Sequence, residues 1–322
     1  MKLLFMGSGS FAVPSLRALL RSPSHEVVAL VTQPDKPAGR GHRLRPPPTK
    51  HVAIEHGLDV HQPARMRHPE AVELVGELAP ECIVVVAYGQ IIPKSILDIP
   101  PKGILNVHAS LLPHYRGAAP IQWAIARGET ETGVSTMLMD EGLDTGPVLL
   151  QEKMPIGFDE TSSELEPRLA ALGANLLERT LEAWAQGALV PTPQDDAEVT
   201  LAPRIKKEDA LVDWSLPAQA IGAQVRAFDP WPVAFTTFDG VALKIWKARA
   251  LGGTTSSPHG SVVAVGDDTD TDTDTDTDTI SVACGEGTIL AIGDVQLSGK
   301  ARMPAADFAR GKRLQLGTRL GA

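Results

Sequence analysis

The sequence predicts an α/β protein: a mostly parallel sheet with helices on both faces, followed by a small β-barrel. Two observations carry that prediction. Up to Gln186, short β-branched apolar runs alternate with amphipathic stretches of helical period, which is how a parallel sheet covered on both faces is written. Past Gly187 a polar, proline-bearing stretch (Pro191, Pro193, Pro203) gives way to short strands separated by turn residues. The expected division is a first domain at 1–187, a linker at 188–208 and a second domain at 209–322.

Each element has its own signal. Lys2–Met6 is a short apolar strand, and Gly7-Ser8-Gly9-Ser10-Phe11-Ala12 turns it into a helix over Phe11–Leu20. Glu26–Thr32 (EVVALVT) is apolar throughout, as a strand buried on both faces should be. Helices are expected over Thr49–His56 and Pro69–Ala79, then a strand at Cys82–Ala87, the most β-like run in the chain. Gly103–His108 follows as a strand, Ala119–Arg127 as a helix, Val134–Met139 and Val148–Met154 as strands, and Ser162–Gln186 as a long amphipathic helix. In the second domain, a helix over Pro217–Phe228 precedes strands at Ala234–Thr237, Ala242–Lys247, Gly260–Val265, Thr279–Ala283 and Gly287–Val295, enough for a small barrel. The repeat Asp267–Thr279 (DDTDTDTDTDTDT) falls between two of these strands. It reads as a solvated loop, because aspartates facing one another along a strand repel; calcium binding is the alternative.

Composition narrows the function classes. The 322 residues are 43% hydrophobic, enough for real cores, while aromatics at 4% argue against a base-stacking sheet. Cys82 and Cys284 are too few and too far apart for a disulfide scaffold or a cysteine zinc site, and they suit a reducing compartment. No apolar run reaches the ~18–20 residues that span a bilayer. The start, MKLLFMG, enters a strand directly, without a signal or transit peptide. A cytoplasmic protein without membrane attachment is expected. A monomer is expected too, since neither a coiled coil nor an apolar helix stripe asks for a partner. The net charge is -9, but the Asp-Thr repeat holds seven aspartates, which leaves -2 for the rest. Pro34–His51 carries +4 and Gly299–Ala322 carries +5, so anionic partners are open to both segments.

Three constellations bear on chemistry. The first turn fits the G-x-G-x-x-A dinucleotide fingerprint and suggests a nicotinamide-dependent oxidoreductase. That fingerprint wants an acidic residue closing the second strand, but this strand ends Thr32-Gln33-Pro34, and Asp35 lies beyond the proline. His51, His56, His61 and His68 crowd one region, yet their spacing does not stack them on one helix face, so no metal is expected. The segment ILNVHASLLPHYRGAAP (Ile104–Pro120) is different in kind. Asn106 and His108 lie two apart, so both side chains face the same way from the carboxyl end of a strand, where open α/β sheets place their sites. An amide beside an imidazole supplies a donor and an acid–base group for a developing oxyanion. The loop Met139–Gly146 adds carboxylates that would orient the imidazole.

These residues resemble the folate-dependent formyltransferases. Asn106-Val-His108-Ala-Ser110-Leu-Leu-Pro113 with Arg116-Gly-Ala-Ala-Pro-Ile121 is similar to their signature, and Leu143-Asp144-Thr145-Gly146 to its second part. Thr32–Gly41 resembles a loop of the members that act on tRNA, and Arg226–Pro232 and Leu243–Ala248 resemble the carboxyl-terminal barrel of those members. The first turn departs from the family pattern at Ser8-Gly9, and the Asp-Thr repeat is foreign to it. The resemblance implies a Rossmann-like formyltransferase domain and an OB-like, tRNA-binding barrel. It implies transfer of the formyl group of 10-formyltetrahydrofolate to the α-amine of methionine on initiator tRNA, with a formyltransferase of amino sugar nucleotides as the alternative. Asn106 and a protonated His108 would donate to the oxyanion, and Asp144 would orient His108. Ser110, Leu111, Leu112 and Pro113 would lie against the folate. Arg40, Arg43 and Arg45, continued by the basic carboxyl-terminal tail, would meet tRNA phosphates.

Overall fold

The computed structural model describes residues 1–38, 43–266 and 278–321, with Ala38 and Arg43 in backbone only. The chain divides into two compact units. One is built from Met1–Pro120, Glu131–Pro155 and Leu165–Pro203, the other from Ile121–Thr130, Ile156–Glu164 and Arg204–Ala322.

In chain order the first unit contains β1 (Lys2–Gly7), α1 (Ala12–Arg21), β2 (Glu26–Val31), a hairpin of β3 (Lys36–Ala38) and β4 (Arg43–Arg45), α2 (Pro48–Glu55), β5 (Val60–His61), α3 (Pro69–Leu78), β6 (Cys82–Val86), α4 (Lys94–Leu97), β7 (Ile104–His108) and β8 (Arg116–Gly117). After α5 (Pro120–Ala126) come β9 (Glu131–Leu138), β10 (Val148–Pro155), α6 (Ser162–Ala185) and β11 (Leu201–Ala202). Seven strands form one sheet in the order β10-β9-β7-β6-β1-β2-β5, parallel from β7 to β5, with β9 and β10 added antiparallel. Alternation divides each strand between two cores. Leu4, Met6, Ala29, Val31, Ile83, Val85 and Ile104 share one with Met66, Val75 and Ile96, while Leu3, Phe5, Leu30, Val84 and Leu105 are buried on the other face. There α6 comes close through Gly173, where a Cβ would stand 3.1 Å from Val107 Cγ1. The parallel strands are thus apolar on both sides for the reason their sequence suggests.

The second unit has α7 (Ala218–Ala227), β12 (Phe235–Phe238), β13 (Val241–Leu251), β14 (Val262–Val265), β15 (Ile280–Ala283), β16 (Ile289–Leu297), β17 (Met303–Pro304) and α8 (Ala305–Lys312). Its antiparallel sheet runs β12-β13-β16-β15-β14, with β17 also on β16. The end of the chain bridges the two edges. Val262 N donates to Thr318 O at 2.8 Å and Leu320 N to Gly260 O at 2.8 Å, while Gly321 N donates to Thr237 O at 2.9 Å. Inside, α7 contributes Ala218, Ile221 and Val225, and α8 contributes Ala305, Phe308 and Ala309. Phe308 meets Phe238 edge to face at 5.3 Å.

The basic tail folds into α8 and a closing segment bridged to Ser261, and two of its arginines are paired locally, Arg302 with Asp294 at 2.6 Å and Arg310 with Asp307. The stretch read as a linker pairs into the first unit through β11, which lies parallel to β8. Of the Asp-Thr repeat, residues 267–277 lie outside the described residues. Cys82 and Cys284 are free and buried, and burial pushes both thiols up to about 12. Among the described residues no helix is long and apolar enough to cross a membrane.

Trp214 ties the second unit's closure together. It is buried, its Nε1 donates to Thr236 Oγ1 at 3.0 Å, and Gly260 and Gly321 approach its ring so closely that a Cβ would stand 3.2 and 3.1 Å from Cδ1. Trp214→Ala should destabilise this unit by about 3–5 kcal/mol, read from the denaturant midpoint. A loss below about 1 kcal/mol would show that closure does not depend on this ring.

Candidate active site

Asn106 and His108 leave the carboxyl end of β7 on one face, with Val107 turned to the other. Asn106 stands beside Val85 of β6 and Met137 of β9, and His108 beside Ser135. Both are buried to within a few per cent, at 8% and 6% exposure. Among the described residues nothing hydrogen-bonds the Asn106 amide, so its donors are available to a bound molecule.

His108 is hydrogen-bonded at one ring nitrogen and faces a carboxylate with the other. Nε2 lies 2.9 Å from the carbonyl oxygen of Tyr115, which can only accept, so Nε2 carries a proton. Nδ1 is the ring nitrogen left without a hydrogen bond among the described residues, and it faces Asp144 Oδ2 at 3.7 Å. The same Oδ2 accepts from Gly117 N at 2.9 Å. Tyr115, Gly117 and Asp144 all have left-handed backbone, with φ of 60°, 127° and 53°. Two of these are not glycine, and such strain clusters where the surrounding structure fixes a functional geometry.

That surrounding structure is the segment 192–202. Thr192 bridges to Val148 at the start of β10. Tyr115 N donates to Thr200 Oγ1 at 2.8 Å and Arg116 N to Thr200 O at 2.9 Å, while Ala119 N donates to Ala202 O. The buried Arg116 donates through Nε to Gln194 Oε1 at 2.9 Å and through Nη2 to Asp196 at 3.1 Å. Gln194 in turn donates to the carbonyls of Asp144 and Gly146. Gln194 and Thr200 have no sequence signal of their own, since both sit in a polar stretch with linker composition.

The other expected residues fall as follows. Ser110 and Leu112 are buried, and the Ser110 hydroxyl donates to His114 O at 2.6 Å. Leu112 is fixed through its backbone, its N donating to Ser135 Oγ at 3.0 Å and its O accepting from Gln151 Nε2 at 2.8 Å. Leu111 and Pro113 are half-buried. Arg45 is exposed on β4, whereas Arg40 lies outside the described residues, as does the Arg43 side chain. The first glycine turn is packed: a Cβ on Gly7 would stand 2.8 Å from Val86 O, and Ser8 Oγ accepts from Gln33 N at 3.0 Å. Asp35 is engaged by Gln62 Nε2 at 2.7 Å and Lys50 Nζ at 2.9 Å, and these bonds, Gln62's foremost, hold its carboxyl below the usual carboxylate range. Among the described residues no group of three or more His, Cys, Asp or Glu is arranged to hold a metal. Beside the Asp144 loop opens a cleft of about 430 Å³, lined by Lys94, Leu97, Asp98, Met139, Asp140, Glu141 and Gly142. Its volume lies in the range of small-molecule sites.

A family model described as formyl transferase matches residues 1–181, and one described as the formyl transferase carboxyl-terminal domain matches residues 204–313. The chain belongs to the formyl transferase family. It is 50% identical over 321 residues to a Citrifermentans bemidjiense protein named methionyl-tRNA formyltransferase, covering 100% of this chain and 96% of that one. A Myxococcus xanthus protein of the same name is 49% identical, with 98% and 97% covered. Among solved structures, an N-formyltransferase from Helicobacter canadensis, in complex with folinic acid and dTDP-3-aminofucose, shares the fold with a TM-score of 0.65. It is 16% identical and covers 91% of this chain and 98% of its own. HypX from Aquifex aeolicus with tetrahydrofolic acid gives 0.62 at 20% identity, over 98% of this chain and 48% of that one.

In this formyl transferase, Gly117 cannot take a side chain without strain. Its φ is 127°, and a Cβ would stand 2.5 Å from Ala202 O. Gly117→Ala should cost at least about 1–3 kcal/mol from backbone strain alone, measured by denaturant unfolding. A variant as stable as the parent would show that β8 and β11 separate without cost.

Proposed function

We propose that the protein transfers the formyl group of 10-formyltetrahydrofolate to the α-amine of methionine esterified to initiator tRNA, as a cytoplasmic monomer. The convergence of Asn106, His108 and Asp144 at the end of β7 carries the proposal, within a chain half identical to its named relatives. The neutral amine attacks the formyl carbon, the carbonyl oxygen becomes an oxyanion, and the carbon–N10 bond of the folate then breaks. Asn106 offers its unengaged amide to that oxygen. His108 works through Nδ1, because Nε2 is committed to Tyr115, and Asp144 Oδ2 stands beside Nδ1 to orient the ring and steady its charge. The proton lost by the amine is returned to N10.

The folate would lie along Leu111 and Pro113, whose side chains are half-buried, with Ser110 and Leu112 fixed beside them. No metal is required by these steps. The first domain, 1–187, would carry the transfer and the barrel, 209–322, would hold tRNA. Exposed Arg45 supports the arm's share of that contact, and Trp246 supports the barrel's, with Arg302 and Lys244 over its ring at 5.1 and 5.8 Å. An amino sugar nucleotide as acceptor has support only from a fold neighbour at 16% identity.

Asn106→Ala should lower the transfer rate on the order of 10²–10³-fold with folate binding retained. Asp144→Asn should likewise slow transfer while preserving fold. Rates within about twofold of the parent for both would remove these residues from the chemistry. Arg45→Ala should weaken tRNA use, reduce the slope of log affinity against log salt by about 1, and leave folate binding alone. Equal loss toward both substrates would remove the arm from tRNA recognition.

A further inference from the structure

One side chain spans both halves of the catalytic pair. Gln194 Nε2 donates to the carbonyl oxygens of Asp144 at 2.8 Å and Gly146 at 2.7 Å, and its Oε1 accepts from Arg116 Nε at 2.9 Å. Both amide protons and the acceptor are used, so the amide has one orientation; turned over, it would set its oxygen against two carbonyls. Arg116 lies between Tyr115, whose carbonyl holds His108, and Gly117, whose N–H holds Asp144. The bonds of Gln194 therefore fasten the backbone that carries Asp144, through the Arg116 side chain, to the loop whose carbonyl holds the His108 ring.

The Asp144 loop needs such a fastening. Asp144 has left-handed backbone at φ 53°, and anchors on its own carbonyl and on that of Gly146 fix the Asp144–Thr145 and Gly146–Pro147 peptide planes. The earlier part of the loop is held by its own groups: Asp140 Oδ1 accepts from Gly142 N at 3.0 Å and Thr145 Oγ1 at 2.7 Å, both exposed. The Lys94–Glu141 pair at 3.6 Å is exposed as well, and exposed pairs contribute little. On the reading that His108 and Asp144 act in formyl transfer, we propose that Gln194 is a positioning residue. It sets where the Asp144 carboxylate stands relative to His108 Nδ1, without touching either substrate. This gives the polar stretch after α6 a share in the reaction rather than a connecting role alone.

The test is a double-mutant cycle on the full-length protein. Gln194→Ala and Gln194→Glu are each made in the parent and in Asp144→Asn, and single-turnover formyl transfer is followed as a function of pH, alongside folate binding and thermal unfolding. A displacement near 1 Å at a reacting group costs on the order of 10²-fold, so Gln194→Ala should lose about 10–100-fold in the transfer step with folate affinity unchanged, and its pH profile should move toward that of Asp144→Asn. In the Asp144→Asn background the same substitution should cost less than about twofold, because no carboxylate is left to place. Gln194→Glu keeps the acceptor for Arg116 but cannot donate to the two carbonyls, and it should fall as far as Gln194→Ala; it also carries the comparison if the alanine variant fails to fold. Parent-like rates in both Gln194 variants, or the same loss in both backgrounds, would overturn the proposal. A fast Asp144→Asn enzyme would instead overturn the catalytic assignment beneath it.

Discussion

Three consecutive residues, Tyr115, Arg116 and Gly117, fix the geometry around His108 and Asp144. The first gives its carbonyl to His108 Nε2, the third gives its N–H to Asp144 Oδ2, and the two contacts together leave Nδ1 facing the carboxylate at 3.7 Å. A carbonyl and an amide two residues apart set the separation of an imidazole and a carboxylate whose residues lie 36 positions apart in sequence. The loop holds this shape because β11 runs alongside it and Thr200 takes up two of its N–H groups. Left-handed backbone at Tyr115 and Gly117 is the conformational cost of presenting both groups in one direction.

The sequence foretold the frame of the site better than its fastenings. Asn106 and His108 were legible because a two-residue spacing in a strand is unambiguous, and the strand itself was marked by apolar neighbours on both sides. Asp144 was legible from its glycine-flanked acidic loop. Gln194 and Thr200 were not, since they act through backbone carbonyls and amides of other loops, and such partners leave no pattern in the residues themselves. Composition misled in the same way over 188–208: prolines and polar residues describe a linker and a packed, irregular segment equally well. The carboxyl-terminal helix was hidden by its charges. Counting Arg310, Lys312 and Arg313 gave a basic tail, while the inward face of Ala305, Phe308 and Ala309, at helical spacing, is what packs it into the second unit.

Charge counting needs the same correction in the amino-terminal arm. Lys50 adds to the sum for Pro34–His51, but its ammonium is spent on Asp35 and Gln62, close to the base of the hairpin. That cluster also explains why the glycine turn is not a dinucleotide site. Asp35 is committed within the arm's base, and Gln33 closes over the turn by donating to Tyr88 O at 2.6 Å. The segment that would hold a ribose in one kind of α/β protein here roots an arm.

In the proposed function, a formyl group moves to an amine carried on a particular tRNA. Single-turnover transfer from 10-formyltetrahydrofolate tests it most directly, with methionyl initiator tRNA, methionyl elongator tRNA and an amino sugar nucleotide offered in parallel. Rapid formylation of the initiator alone is the result expected. Transfer to the sugar amine, with both tRNAs left unmodified, would contradict the account.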